Sequence, residues 1–272
     1  MSYAPVSKEQ ITAEITHFVA DYAKREDVRT AWGTPLVGYA DARHPYIQNL
    51  PRLIGPTHAL PQDVMPDARI VICYYLPFTR ALARSNATGT HIASPEWAQA
   101  YEETNALFGV LNDHLIEWLT SCGVSAAVAP QARTFDTDLL VSDWSFRHFA
   151  YAAGLGTFGL NNMLITRKGC CGRYNTLVTN LSVEPDQPLD EELCLYKKNG
   201  TCMVCVRNCP VGALGVGGYD RHRCREVLLE NAAAYPEGGS TYVDESTGKG
   251  NSPGTDVCGK CVTQSPCAFL DR

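Results

Sequence analysis

Apolar residues recur at helical spacing between Ser7 and about Arg25, at Ile11, Ile15, Phe18, Val19 and Tyr22, and predict an amphipathic helix. Ser7 and Gln10 form a capping-box pair at its start. Pro35 to Ala40 is a short strand candidate, and the proline-rich stretch 41–67 predicts an irregular segment draped over a surface. Ala68 to Leu76 is the strongest strand, so nearly continuous in apolar character that it should lie at the centre of a sheet. A long helix is expected from Pro95 to Ser121, with Leu107, Val110, Leu111, Leu115 and Leu119 on one face and Gly123 as its stop. Val124 to Ala129 reads as a strand and 139–153 as a helix. Asn162 to Thr166 and Tyr174 to Val183 read as a closing hairpin.

Strands and helices thus alternate to about residue 185, the pattern of an α/β layer domain over 1–185. The pattern breaks at Pro185-Asp186-Gln187-Pro188. Beyond it, 186–272 holds short loops and cysteines, including a Gly-, Ser-, Thr- and Pro-rich span at 232–257 that predicts a long surface loop. No run of eighteen apolar residues exists, so no membrane-spanning helix is expected. A net charge of −6 argues against a nucleic-acid surface. The small basic groups Lys197-Lys198 and Arg221-His222-Arg223 read as solvated charge, as an offset to a nearby anionic centre, or as a dock for an acidic electron donor.

Eight of the twelve cysteines change this picture. Cys202-x2-Cys205-x3-Cys209-Pro210 is the back half of the bacterial ferredoxin run, in which the cysteine before proline serves the other cluster. Two [4Fe–4S] clusters are therefore expected. Cys194, Cys202, Cys205 and Cys267 would hold one, and Cys209, Cys224, Cys258 and Cys261 the other. Seven residues part Cys194 from Cys202, and five part Cys261 from Cys267, so loop insertions are expected at both places. Zinc on Cys202, Cys205, Cys258 and Cys261 is the rival reading, but it leaves four cysteines and Pro210 without a role. The start Met-Ser-Tyr-Ala-Pro-Val carries no signal segment, so a reducing cytoplasm is expected rather than disulfides. Cys73 and Cys122 read as packing residues, and the adjacent Cys170 and Cys171 as structural or facing a cofactor.

Gly154-Leu155-Gly156-Thr157-Phe158-Gly159-Leu160-Asn161 has the G-x-G-x-x-G spacing of a dinucleotide loop. Here a helix precedes it and a strand follows, the reverse of the dinucleotide order, so that reading is rejected. The glycines instead predict a sharp turn that approaches a large cofactor closely.

With this segment, the strand ending Tyr75-Leu76-Pro77-Phe78 and the cysteine order, the chain from about residue 35 to 270 resembles the epoxyqueuosine reductase group, itself related to corrinoid reductive dehalogenases. The resemblance implies a nitroreductase-like α/β domain of the cobalamin-binding type followed by a ferredoxin-like module with two [4Fe–4S] clusters. It implies cofactor contacts from Gly154, Leu155, Gly156, Thr157, Phe158, Gly159 and Asn161, with Arg147 and His148 lining the same pocket. His148 reads equally as an ordinary histidine. The family's proton-donating Asp stands in a V-D-[ST]-x-P motif. The nearest match here is Phe135-Asp136-Thr137-Asp138, without the proline, so Asp136 and then Asp138 are the candidate acids, and Asp136 also reads as a turn residue. The function implied is an oxidoreductase passing electrons from a ferredoxin- or flavodoxin-type donor through both clusters to cobalamin, for reduction of a small molecule. A flavin is the alternative cofactor. A carrier serving a partner such as a corrinoid protein, with no substrate of its own, is the alternative function. The chain ends at Arg272 without the family's helical-repeat domain, so tRNA is not expected, nor is a membrane partner.

Overall fold

Ile70–Pro77 forms a strand, β2, that is buried along its whole length because both of its faces are covered. Val71, Cys73 and Tyr75 point into one apolar cluster, whereas Ile70, Ile72, Tyr74 and Leu76 point into another. The computed structural model describes residues 6–87, 90–130, 134–136, 138–239, 243–244, 249–250 and 254–270.

Around β2 the sheet runs β1 (Leu36–Asp41), β2, β8 (Gly172–Thr179), β3 (Ala126–Ala127), antiparallel at every junction. The helices α1 (Lys8–Tyr22) and α6 (Pro95–Ser121) cover one face through Ile11, Ile15, Leu107, Leu111 and Leu115. The other face is covered by α7 (Phe146–Ala152) and by short turns of helix between residues 45 and 64, namely α2 (Pro45–Gln48), α3 (Leu50–Leu53) and α4 (Pro61–Val64). Three of the five prolines of 41–67, Pro45, Pro51 and Pro61, thus stand in the first turn of single helical turns, where a residue without an N–H is tolerated. The capping box at Ser7 and Gln10 forms as expected.

Three expectations fail. Val110 is 42% exposed, on the solvent side of α6. The helix expected over 139–153 begins only at Phe146. Before it, β4 (Phe135–Asp136) pairs with β5 (Val141–Ser142). Leu140 takes a left-handed φ of 53°, and the Ser142 hydroxyl bonds both the N–H (3.2 Å) and the carbonyl (3.0 Å) of Trp144. Those bonds compete with helical ones. The expected hairpin is absent too. Leu164–Thr166 (β7) pairs with Gly156–Phe158 (β6), and the following strand leaves to complete eight residue pairs with β2.

Beyond the sheet come α5 (Arg80–Ser85), then α8 (Leu195–Asn199), α9 (Val204–Arg207), the β9–β10 ribbon (Leu214–Gly215, Gly218–Tyr219), α10 (Arg221–Ala234) and α11 (Lys260–Thr263). A third apolar cluster joins this part to the sheet through Phe78, Trp97, Ile165, Leu193, Val262 and Ala268. The Pro185–Pro188 segment is fastened to the sheet domain: Asp186 accepts from Lys8 Nζ (2.7 Å) and from the Tyr39 N–H (2.9 Å). In the span 232–257, residues 240–242, 245–248 and 251–253 lie outside the described ones. Among the described residues no helix is long and apolar enough to cross a membrane.

Candidate functional site

The eight cysteines with ferredoxin spacing gather in two fours. Cys194, Cys202, Cys205 and Cys267 line one space of about 320 Å3, including room open to solvent, together with Leu160, Asn161 and Ile165. Cys209, Cys224, Cys258 and Cys261 line a wall of a larger cavity, of about 1350 Å3 including space open to solvent. Local structure explains the sorting. Cys194 caps α8, which Gly200 ends in a left-handed conformation (φ 75°), so the insertion before Cys202 is a turn of helix rather than a loose loop. Cys205 rides on α9 and Cys209 follows it, so neighbours in sequence face different spaces. Gly259, also left-handed (φ 74°), opens α11 and delivers Cys261; a Cβ there would fall on the Trp97 indole.

Cys267 reaches the first four through backbone bonds. The Cys170 N–H donates to its carbonyl (2.9 Å), and the Cys171 N–H donates to that of Ala268 (3.1 Å). Gly169 is required at this hook, because a Cβ there would overlap the Ala268 carbonyl. Buried Cys170 places its sulfur 3.9 Å from that of Cys267, a contact that lowers the Cys267 pKa. In contrast, burial pushes the Cys205 thiol up to about 11, helped by the negative ends of Cys267, Cys194 and Cys202. Bringing several thiolates round one space costs repulsion that a bound cation relieves.

Among the described residues no three Cys, His, Asp or Glu side chains meet as a single-ion site. Each four surrounds a space instead, and the donor set is all sulfur, which suits a polynuclear iron–sulfur group. Tyr75 adds a second sign of fit. Its hydroxyl is fully buried without a partner, and Cys170, Cys171 and Cys267 are close enough to raise its pKa after burial has done so. An unpaired buried hydroxyl costs roughly 1–3 kcal/mol unless something accepts from it.

The glycine segment runs between the two fours. Asn161 lines both spaces, its amide 3.8 Å from the Cys170 sulfur. Thr157 donates to Glu192 Oε1 (3.0 Å) and accepts from the Leu193 N–H (3.0 Å), while Glu192 Oε1 also takes the Cys194 N–H (2.8 Å). This strand therefore positions the first cysteine group. The room the glycines leave is filled by the chain itself: a Cβ at Gly154 would meet the Gln187 carbonyl, one at Gly156 the Ile165 carbonyl, and one at Gly159 the Ile165 side chain. Leu155 is buried in the core, and the Phe158 ring packs at a tilt against His148, their centroids 4.7 Å apart.

Arg147 lines the larger cavity and, with His148, a second one beside it of about 960 Å3, likewise partly open. Its Nη1 donates to the Asn162 carbonyl (2.5 Å). Asp136 accepts from the N–H groups of Asp138 (2.9 Å) and Leu139 (2.7 Å), the bonding of a turn residue, and Asp138 is exposed. Neither is a wall residue of these cavities, although Phe135 is.

No family model matches the chain. Over 90 residues it is 37% identical to an epoxyqueuosine reductase of Lactococcus garvieae, covering 32% of this chain and 24% of that one. Over 186 residues it is 28% identical to that of Bacillus cereus, covering 65% and 44%. A crystal structure of a selenomethionine-labelled epoxyqueuosine reductase superposes on 95% of this chain and 66% of its own, with TM-score 0.57 and 20% identity. This chain is a relative of the epoxyqueuosine reductases. It shares their mixed α/β fold and spans less than half the length of the curated relatives it matches.

Several residues of this epoxyqueuosine reductase relative were invisible in the sequence. Arg173 stacks 4.1 Å over Tyr101 and leaves Nη1 buried without a partner at the larger cavity, next to Asp256, which takes the Tyr101 hydroxyl (2.8 Å). Asp143, just past β5, is spent on the Thr57 and Thr134 hydroxyls (both 2.6 Å).

His148 bonds the Ser145 hydroxyl (2.6 Å) and is held neutral, its pKa pushed down to about 3 by burial first and then by the charges of Arg147, His58 and Arg221. The unfolded chain takes this proton near 6.5 and the folded one only near 3. Stability from His148 is therefore present above 6.5 and lost as pH falls towards 3. His148→Gln should flatten the acid side of a Tm-against-pH curve relative to the parent. Parallel curves would show that the imidazole titrates normally.

Proposed function

We propose that this chain is an iron–sulfur oxidoreductase that reduces a small molecule at a corrinoid. One [4Fe–4S] cluster would sit on Cys194, Cys202, Cys205 and Cys267, the other on Cys209, Cys224, Cys258 and Cys261. The observation that carries this is the sorting of eight thiols into two fours, one beside Leu160 and Asn161 of the glycine segment and one forming a wall of the larger of the two thiol-lined spaces. When bound, the clusters would supply single electrons and the corrinoid a redox-active metal.

The chain's own residues do the positioning. The Ala213 N–H donates to the Cys209 sulfur (3.2 Å), which fixes where that sulfur points. Leu160, Ile165 and Pro266 give the first void an apolar lining between its sulfurs. Arg147, Asn161 and Asn162 present donors at the larger cavity for the carboxamides of a corrinoid, and neutral His148 lines the cavity beside it. Of the two candidate acids, Asp136 is the better placed, since it follows the wall residue Phe135, whereas Asp138 is exposed. The electron donor in this scheme is a ferredoxin- or flavodoxin-type protein. One solved epoxyqueuosine reductase holds a tRNA stem loop. The net charge of −6 favours a small molecule here instead. Thiols kept ready for iron need a reducing compartment, so the proposed location is cytoplasmic.

Anaerobic reconstitution should load about eight irons and as many sulfides per chain. Zinc with little iron would overturn the cluster assignment. Incubating the loaded protein with cobalamin, and separately with flavin mononucleotide, then desalting, should leave a corrinoid spectrum. A retained flavin spectrum would replace the corrinoid with flavin, and retention of neither would make the chain an electron carrier.

A further inference from the structure

The cavity beside the thiol-lined one is walled on one side by Arg147, Arg221 and Arg225 and on another by Leu53 and Ile54. Among the described residues all three guanidiniums lack a carboxylate partner. Arg147 gives Nη1 to the Asn162 carbonyl (2.5 Å), Arg221 reaches the Leu139 carbonyl at 3.4 Å, and Arg225 lies 5.3 Å over the Phe135 ring. By contrast Arg223, on the same helix as Arg221 and Arg225, is 3.6 Å from Asp220. The acids nearest in the chain are already engaged: Asp136 by backbone N–H groups, Asp143 by two threonine hydroxyls. The charges of Arg147 and Arg221 both bear on His148, which places them around one space.

Three cations that share a wall repel one another, and guanidiniums are built to take an oxyanion in a fork of N–H donors. We propose that this cavity binds the anionic head, carboxylate or phosphate, of an organic substrate. Arg147, Asn162, Tyr219 and Leu228 line both cavities, so a head held here directs the rest of the molecule towards the thiol-lined wall. That the bound molecule is a substrate rests on the reductase reading, whereas the anion site does not.

The test uses the full chain, reconstituted anaerobically, with benzoate, phenyl phosphate and neutral benzamide as probes in equilibrium dialysis. Both anions should bind, and benzamide at least tenfold more weakly. Arg221→Gln and Arg225→Gln should each weaken the anions by roughly tenfold or more, the loss of a charge-assisted bond. Arg223→Gln should change nothing. Equal binding of benzamide, no binding of either anion, or an equal loss with Arg223→Gln overturns the proposal. A corrinoid's phosphodiester is the other source of an oxyanion, so cyanocobalamin and dicyanocobinamide, which lacks it, are measured too. Should the arginine variants weaken only cyanocobalamin and leave the anions unaffected, the guanidiniums serve the cofactor and the proposal falls. Iron analysis of the same samples keeps the two claims apart. Iron-loaded protein that ignores the anions overturns the anion site alone, and iron-free protein that still binds them overturns the reductase reading alone.

Discussion

Cys205→Ala is expected to cut iron from about eight to about four per chain and to erase one of two cluster signals, with Cys258→Ala erasing the other. Cys205 is 7% exposed and faces Cys194, Cys202 and Cys267, while Cys258 faces Cys209, Cys224 and Cys261. Each cubane needs all four corners, so removing one thiolate leaves three that repel one another around a weakened centre. Cys205 on α9 and Cys209 just after it should therefore behave as members of different sites. Low-temperature electron paramagnetic resonance of the reduced variants reads this directly. Loss of the same signal in both variants would refute the partition.

How much of this was readable beforehand depends on whether the cause was local. The α6 boundaries follow from Pro95 at the first helical position, the leucine period and Gly123, all of which sit in the sequence. The central place of β2 follows from its unbroken apolar run. By contrast, 139–153 looks helical by its apolar spacing, and only the Ser142–Trp144 bonds and the left-handed Leu140 prevent it. The sequence places β8 against its neighbour in a hairpin, whereas its partner is β2, about a hundred residues earlier, because register between distant strands is decided by packing on both faces. The site divides in the same way. The C-x2-C-x3-C-P spacing is local and legible. The Gly169–Cys171 hook that seats Cys267, the buried Tyr75 hydroxyl and the arginine wall are each assembled by tertiary contact from residues far apart in the chain.

The glycine segment gives the sharpest contrast between the two sources. Sequence reasoning assigns Gly156 to the close approach of a cofactor, so that Gly156→Val would cost cofactor and nothing else. In the structure, Gly156 pairs with Thr166 across β6 and β7, and any Cβ would overlap the Ile165 carbonyl, a backbone atom that cannot swing aside. Valine there should cost about 3 kcal/mol or more, since the strand must move rather than a side chain. For a chain of this size that is a fall in Tm of roughly 6–10 °C. The displacement should also reach the neighbouring Thr157, whose hydroxyl ties Glu192 and Leu193 beside Cys194, so the first cluster's yield should drop while the second's holds. Gly109→Ala is the matched contrast. Gly109 lies exposed in α6 with nothing near a new methyl group, and alanine there should raise stability by about 0.5–1 kcal/mol. A Gly156→Val protein that melts like its parent, with both clusters full and the larger cavity empty of cofactor, would return this glycine to the role its spacing suggested.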